Sequence, residues 1–180
     1  MKATGIVRRI DDLGRIVIPK EIRRTLRIRE GDPLEIFTDR EGKVILKKYS
    51  PIGELGSLAG IYADSLSKTL DCTVCITDTD QVIAAAGNGK KELQEMLLSA
   101  ELAEVFQERK TVLKKSSDAE FVAITKDRSE YSEEIISVIL SEGDIAGGVI
   151  FLQKNEKKHF GEMEKKFAAG AADLLGKQLS

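Results

Sequence analysis

The chain has 180 residues, of which 42% are hydrophobic and 32% are charged, and its formal net charge is −2. This composition is typical of a globular protein with one medium domain or two small ones, and it excludes a chain that is disordered throughout. No apolar stretch approaches the roughly 20 residues that span a bilayer, and the N-terminus lacks the apolar block of a secretory signal. We therefore expect a cytoplasmic protein without a membrane partner.

The charge is distributed unevenly along the chain. Residues 1–50 contain 13 Lys and Arg against 8 Asp and Glu, whereas residues 51–180 contain 15 against 22. A basic module is thus followed by an acidic one. This asymmetry predicts that the first module meets a polyanion and that the second has a different role.

The basic module is predicted to consist of short strands and one brief helix. Pro19 suits the first helical position and holds Ile18 extended, so the second strand is expected to give way to the helix there. Contiguous apolar residues in the second and fourth strands predict strands that are covered on both faces. The strands are predicted at 4–10, 15–19, 33–39 and 43–48, and the helix at 20–28.

Fifty residues are too few to cover both faces of such strands. Below roughly 60 residues a chain buries too small a fraction of its surface to be stable alone, and this module has neither a disulfide nor a metal motif. The N-terminal module is therefore predicted to fold only as an intimate dimer with interleaved strands.

The predicted helix carries an arginine-rich face. Its basic residues follow one another at steps of three, one and three, which places them together on a helix. A merely solvated charged face is the competing interpretation, but this face has no acidic residue to balance it. The planar fork of arginine pairs with phosphate oxygens and with the guanine edge, so double-stranded DNA is the predicted partner. The helical residues are Lys20, Arg23, Arg24 and Arg27, and Arg8, Arg9 and Arg15 precede them in the strand and loop.

Residues 1–49 resemble the AbrB-type swapped-hairpin DNA-binding domain, because "DDLGRIVIPKEIRRTL" and "GDPLEIF" occur in the expected order. The resemblance implies that two chains exchange hairpins to form one DNA-binding unit. It also implies that Arg8, Arg15, Arg23 and Arg24 make most of the DNA contact. Charge geometry adds Lys2, Arg9, Lys20 and Arg27 as secondary candidates.

A stretch with one proline and two glycines at 49–56 predicts a boundary, so we expect domains at 1–53 and 54–180. The second domain is predicted as α+β, with a mainly antiparallel sheet flanked by helices. Its first and last helices are expected to pack together on one face of that sheet, with binding of a second subunit as the alternative role of their apolar stripes. The predicted helices lie at 54–70, 90–109 (one helix or two, with Ser99 as a cap) and 156–180, and the strands at 72–78, 81–87, 111–115, 119–126, 134–143 and 145–154.

This element order resembles the GAF-type domain. The resemblance implies that these domains pair, so that the whole chain forms a homotetramer. A swapped-hairpin domain followed by such a domain is similar to sporulation-stage transcriptional regulators of spore-forming bacteria. It implies an activator or repressor of transcription that is associated with the nucleoid.

Three features of the second domain are possible sites. Cys72 and Cys75 alternate faces in a strand, which favours buried thiols over half of a zinc site. The segment 87–92, "GNGKKE", lacks the spacing of a phosphate loop and is predicted to be a turn capped by Asn88, with a small-anion site as the alternative. His159 is predicted to be a solvated or packing residue.

No catalytic set or metal site is recognisable in the sequence, so the chain is predicted not to be an enzyme and no cofactor is expected. A small-molecule ligand of the GAF-like domain stays unknown, and sensing and simple oligomerisation are both open. Two other classes compete with the regulator. One is an antitoxin, in which the C-terminal part is a disordered toxin-binding tail; the apolar periodicity of residues 54–180 disfavours it. The other is a small-molecule-binding enzyme.

Overall fold

A computed structural model describes residues 5–126 and 130–179. These residues belong to two compact units that are divided between Tyr49 and Ser50. We call the described residues 5–49 the N-terminal unit, and 50–126 with 130–179 the C-terminal unit. No helix in these ranges is long and apolar enough to cross a membrane.

The N-terminal unit contains helix α1 (Lys20–Thr25) and a hairpin of strands β1 (Leu34–Thr38) and β2 (Val44–Lys48). The two strands pair antiparallel, and the carboxylate of Asp39 accepts hydrogen bonds from two backbone N–H groups of the connecting turn. Such a side-chain contact is a typical way for aspartate to stabilise a turn. The predicted hairpin is therefore confirmed.

The two earlier strands of the N-terminal unit are not formed in this single chain. The described residues 5–10 and 15–18 have an irregular backbone, so the predictions of strands there were wrong for one isolated chain. A strand exists only where a neighbour accepts and donates its ladder hydrogen bonds. In the predicted dimer that neighbour is a partner chain.

Helix α1 is shorter than predicted. Pro19 precedes the helix as its N-cap, with an extended backbone, and does not occupy the first helical position. At the other end Arg27 has φ +54°, its N–H donates to the Arg24 carbonyl, and the Ile28 N–H donates to the Arg23 carbonyl at 2.8 Å. This pair of bonds is the Schellman pattern that closes helices, with arginine where glycine is usual.

The C-terminal unit is an antiparallel five-stranded sheet with helices on both faces, which confirms the predicted α+β class. Strand order across the sheet is β4-β3-β7-β6-β5, and all neighbouring strands run antiparallel. The elements are α2 (Pro51–Glu54), α3 (Gly56–Leu70), β3 (Thr73–Thr77), β4 (Val82–Ala86), α4 (Lys90–Leu93), α5 (Ala100–Gln107), β5 (Val112–Lys115), β6 (Glu133–Ser141), β7 (Asp144–Gln153) and α6 (Glu162–Gln178).

Each face of this sheet has its own hydrophobic core. Helices α3 and α6 pack on one face, as predicted, through small residues such as Ala63 and Ala172. Helix α5 covers the other face with Leu102, Val105 and Phe106. The alternation of side chains along a strand separates the two cores, because successive residues point to opposite faces.

The connections between helices and strands differ from the prediction in two places. Ser99 caps α5, as predicted, by accepting the Leu102 N–H at 3.0 Å. Asn88 does not cap α4; Gly89 occupies that position with φ +85°. The predicted strand at 119–126 was wrong, because within that segment, all of which the structure describes, only Thr125 forms a bridge, to Leu98, and Glu134 takes the Val122 N–H.

Helix α6 lies against β6 at Gly176. This close contact predicts that a larger residue at position 176 makes the protein less stable. A Cβ at position 176 would lie 2.1 Å from the Leu140 carbonyl oxygen, whereas a Cβ at Gly170 of the same helix meets nothing within 4 Å. We expect Gly176→Ala to destabilise the protein by about 1–3 kcal/mol through overpacking. Gly60→Ala on α3, where a Cβ also meets nothing within 4 Å, is the matched control and is expected to be neutral or stabilising by up to about 1 kcal/mol through helix propensity. Urea denaturation of both variants measures the difference; equal stabilities would contradict the close contact.

Candidate nucleic-acid interface

Helix α1 presents three of the predicted basic residues on one side. Lys20 and Arg24 are exposed, and Arg23 is half-buried. The Nε–H of Arg23 donates to the Ile18 carbonyl at 3.2 Å, so this side chain is held against the segment that leads into the helix. Steps of three and one place the three side chains within one sector of the helix.

Arg27 is not part of that helical face, which corrects the prediction of four residues on one side. It lies two residues after the last helical residue, Thr25, in a left-handed conformation, and it is half-buried. Its carbonyl oxygen accepts from the Lys48 ammonium at 3.4 Å. Arg27 therefore terminates the helix and links it to β2. Helical periodicity does not apply at this position, because the helix ends before it.

Arg15 is the only one of the four principal arginines that contacts a carboxylate within the described residues. Its Nε lies 2.9 Å from Asp11 Oδ2, and both side chains are exposed to solvent. Asp11 Oδ1 also accepts the backbone N–H groups of Leu13 and Arg15. The backbone bond from Arg15 and then its side-chain bond lower the pKa of Asp11, so this carboxylate is ionised at neutral pH.

Two other candidate residues precede this turn. Arg8 and Arg9 are exposed in the irregular segment that begins the described chain. Lys2 lies outside the described residues. Asp11 was not predicted as a site residue, although an aspartate followed by glycine at the third position after it is a recognisable turn signal.

The N-terminal unit has almost no core of its own. Pro19 is the only buried residue among the described residues 5–49. Large apolar side chains are instead exposed on the segments around the helix and on both strands of the hairpin. So many large apolar side chains in solvent are unusual for a monomer and are typical of an interaction surface. The exposed residues are Ile6, Val7, Ile10, Leu13, Ile16, Val17, Leu26, Ile36, Phe37, Val44, Ile45, Leu46 and Tyr49.

The candidate site residues of the C-terminal unit are either buried in a hydrophobic core or held by a hydrogen bond. Cys72 and Cys75 belong to opposite cores, and burial raises the pKa of each thiol to about 12. His159 Nδ1 lies 2.7 Å from Glu133 Oε1, and Glu133 Oε2 accepts the Phe160 N–H, so this cluster fixes the approach to α6. In the described part of the chain no group of three or more His, Cys, Asp or Glu side chains is placed to hold a metal.

One buried carboxylate in this unit is incompletely satisfied. Glu134 has no exposed surface; its Oε1 accepts the Val122 N–H at 3.1 Å, and its Oε2 has no hydrogen-bond partner among the described residues. It lines a cavity of about 10 Å³ beside Tyr131 and the segment 121–125. Burial, opposed by the Val122 hydrogen bond and by Lys114, raises the pKa of Glu134 to about 7. A ligand for this unit stays a prediction.

An open apolar groove runs between α3 and α6. It has a volume of about 410 Å³, and the residues that line it include Tyr62, Leu66, Met163, Lys166, Phe167 and Leu174. Three of these side chains, Met163, Phe167 and Leu174, are exposed although they are large and apolar. The apolar stripes of the two helices therefore serve their own core only in part.

Comparison with known proteins also divides the chain near residue 54. The family described as "Stage V sporulation protein T C-terminal, transcription factor" matches residues 54–180. The family described as "Antidote-toxin recognition MazE, bacterial antitoxin" matches residues 7–54. Stage V sporulation protein T of Bacillus subtilis (strain 168) is 50% identical over an alignment of 183 positions, which covers 99% of each chain. Transition state regulatory protein AbrB of the same organism is 67% identical over 51 residues, which are 28% of this chain and 52% of AbrB.

Solved structures identify the fold of the C-terminal unit. The GAF domain of PixJ from Thermosynechococcus elongatus superimposes with a TM-score of 0.56 at 14% identity, over 73% of this chain and 88% of that one. The GAF domain of the nutrient sensor CodY from Clostridium difficile gives 0.52 at 15% identity, over 67% and 83%. At this identity the likeness concerns the fold alone.

The basic N-terminal unit and the GAF-like C-terminal unit together define a two-domain transcriptional regulator with an AbrB-like DNA-binding region. The 50% identity to Stage V sporulation protein T over nearly the whole length of both chains identifies the family within this class. It belongs to the stage V sporulation protein T family of transcription factors.

Proposed function

We propose that this chain regulates sporulation-stage genes by binding double-stranded DNA through a dimer of its N-terminal unit, in which two chains exchange hairpins. The observation that carries the proposal is the combination of an arginine-bearing helix with a unit that buries only Pro19 among its described residues. The folded C-terminal unit, with two hydrophobic cores, disfavours the antitoxin alternative, since that class ends in a disordered tail.

Exposed apolar surface supports the exchange of hairpins. The apolar side chains that lie in solvent on residues 5–18 belong to the segments whose strands were predicted from sequence. Each of these strands needs both a ladder partner and an apolar cover. A second copy of the same unit provides both, because a two-fold axis presents the same segments to each other.

The C-terminal units are proposed to pair through the groove between α3 and α6, which makes the full assembly a tetramer. Exposed Met163, Phe167 and Leu174 support this role, since burial of apolar surface drives association. Light scattering of the full chain tests the stoichiometry. A tetramer mass agrees with two interfaces per chain, and a monomer mass contradicts both.

DNA recognition is proposed to come mainly from phosphate contacts, with one or two arginines reaching base edges and DNA shape adding preference. The principal contacts are assigned to Arg8, Arg15, Arg23 and Arg24, with Arg9, Lys20, Arg27 and Lys2 as secondary ones. Such binding weakens steeply as salt rises, because counterions are released from the duplex.

Replacement of Arg24 tests this assignment. We expect Arg24→Ala to weaken binding about tenfold at low salt, the effect of removing one charge-assisted hydrogen bond. The slope of log affinity against log salt should become shallower by about 0.9 for each phosphate that the variant no longer neutralises. The promoter sequence is identified by its recovery with the full chain from the native cell. A fluorescently labelled duplex of that sequence is the probe. Arg40→Ala, which removes an exposed arginine of the β1–β2 turn, is the matched control. Equal effects of the two substitutions would mean that Arg24 contributes only its positive charge and makes no specific phosphate contact.

A further inference from the structure

The turn from Asp11 to Arg15 is closed by its own backbone and by one side chain. The Asp11 N–H donates to the Arg15 carbonyl and the Gly14 N–H donates to the Asp11 carbonyl, both at 3.0 Å. Asp11 Oδ1 accepts the N–H groups of Leu13 at 3.0 Å and Arg15 at 2.8 Å. Gly14 has φ +75°, a conformation in which glycine has no steric cost. The turn therefore has a defined shape before any ligand arrives.

The same carboxylate orients the arginine side chain. Asp11 Oδ2 accepts the Nε–H of Arg15 at 2.9 Å. A guanidinium has five N–H donors in a rigid plane, so a bond at Nε fixes the plane. Within the described part of the chain the two terminal Nη groups donate no hydrogen bond, and they form the edge that can bind a phosphate in two directions.

We propose that Asp11 is a positioning residue for DNA binding, which holds the Arg15 guanidinium by its Nε so that the Nη edge meets a backbone phosphate. The proposal rests on the proposed function, in which Arg15 is a DNA contact. It gives an acidic residue within a basic surface a favourable role in binding an anion.

Charge alone predicts the opposite effect of Asp11. A carboxylate near the duplex repels phosphates, so its removal strengthens binding if it does nothing else. A carboxylate that orders Arg15 strengthens binding, because a side chain that is already held gives up less conformational entropy when it meets its target. The sign of the effect therefore distinguishes the two roles.

Asp11→Asn separates the two functions of this side chain. The asparagine carbonyl oxygen still accepts the N–H groups of Leu13 and Arg15, so the turn is kept. Its amide group replaces Oδ2 and cannot accept the Arg15 Nε–H. Thermal unfolding equal to that of the parent protein establishes that the fold is intact.

The experiment is a double-mutant cycle in the full chain, with Asp11→Asn, Arg15→Ala and the combined variant, measured by fluorescence anisotropy on the promoter duplex over a salt series. We expect Asp11→Asn to weaken binding about fivefold, the upper range for an exposed charge pair. The slope of log affinity against log salt should become shallower for Asp11→Asn. In the Arg15→Ala background, Asp11→Asn should not weaken DNA binding.

Two outcomes overturn the inference and are distinguishable from failure of the proposed function. If Arg15→Ala weakens binding and Asp11→Asn strengthens it, Asp11 only repels the duplex. If Asp11→Asn weakens binding equally with and without Arg15, it acts on the turn and not through the arginine. If Arg15→Ala itself leaves affinity and slope unchanged, Arg15 is no contact and the assignment on which the inference rests is wrong.

Discussion

Val17→Glu is expected to abolish assembly of the N-terminal unit and to reduce DNA affinity more than about a hundredfold. Val17 is 73% exposed in the single chain, and it lies in the second predicted strand, which needs cover on both faces. In the proposed dimer the new carboxylate is buried without a partner, which costs about 3 kcal/mol or more per site. The basic surface is then divided between separate chains, and each presents half of the contacts.

Light scattering and anisotropy measure both consequences of Val17→Glu. The mass of the full chain should fall from tetramer to a dimer that is held by the C-terminal units, and the salt slope should fall with it. Val17→Ile, which keeps an apolar branched side chain, is the matched control and is expected to preserve mass and affinity. A tetramer with unchanged affinity after Val17→Glu would mean that position 17 stays in solvent, and the exchange of hairpins would be wrong.

Glu134→Gln is expected to stabilise the protein at alkaline pH and to leave it unchanged at acid pH. In the folded chain the pKa of Glu134 is raised from 4.5 to about 7, so between these values the unfolded chain releases the proton while the folded chain keeps it. The free energy of unfolding therefore falls as pH rises through this window. The deficit reaches on the order of 3 kcal/mol above pH 7, and a neutral glutamine does not incur it.

Urea denaturation of parent and variant between about pH 5 and pH 8 measures this difference, with titrations common to both proteins cancelling. Glu133→Gln is a matched control on the neighbouring residue. Both oxygens of Glu133 accept hydrogen bonds, so the amide of the variant leaves the Phe160 N–H or His159 without an acceptor, and Glu133→Gln is expected to destabilise the protein throughout the range. A pH-independent effect of Glu134→Gln would mean that position 134 is ionised at low cost.

Local patterns in the sequence were sufficient to predict several features of the C-terminal unit. Alternation along "CTVCIT" predicted that Cys72 and Cys75 face opposite sides, and they belong to the two separate cores. The cap at Ser99 followed from its position before an apolar helix. These features depend on residues within a few positions of each other, so the sequence contains all the necessary information.

Other features depended on segments that are distant in sequence. The segment 119–126 has a strand-like composition, but the buried Glu134 side chain takes the Val122 N–H that a strand ladder would use. Arg27 was expected to extend the helix, yet it leaves the helix and bonds through its carbonyl oxygen to Lys48 of β2. Propensity cannot predict such competition, because tertiary contacts decide which partner a backbone group receives.

The amino-acid sequence by itself determined where positive charge accumulates, which residues are apolar, and that the first fifty residues are too few for an independent core. The tertiary structure alone decided that the Arg27 carbonyl oxygen accepts from Lys48, that Glu134 keeps a buried oxygen without a partner among the described residues, and that Pro19 is the one buried residue of the described N-terminal unit. The physical reason is that charge and periodicity are properties of neighbouring residues, whereas burial and hydrogen-bond partners depend on which remote segments come together.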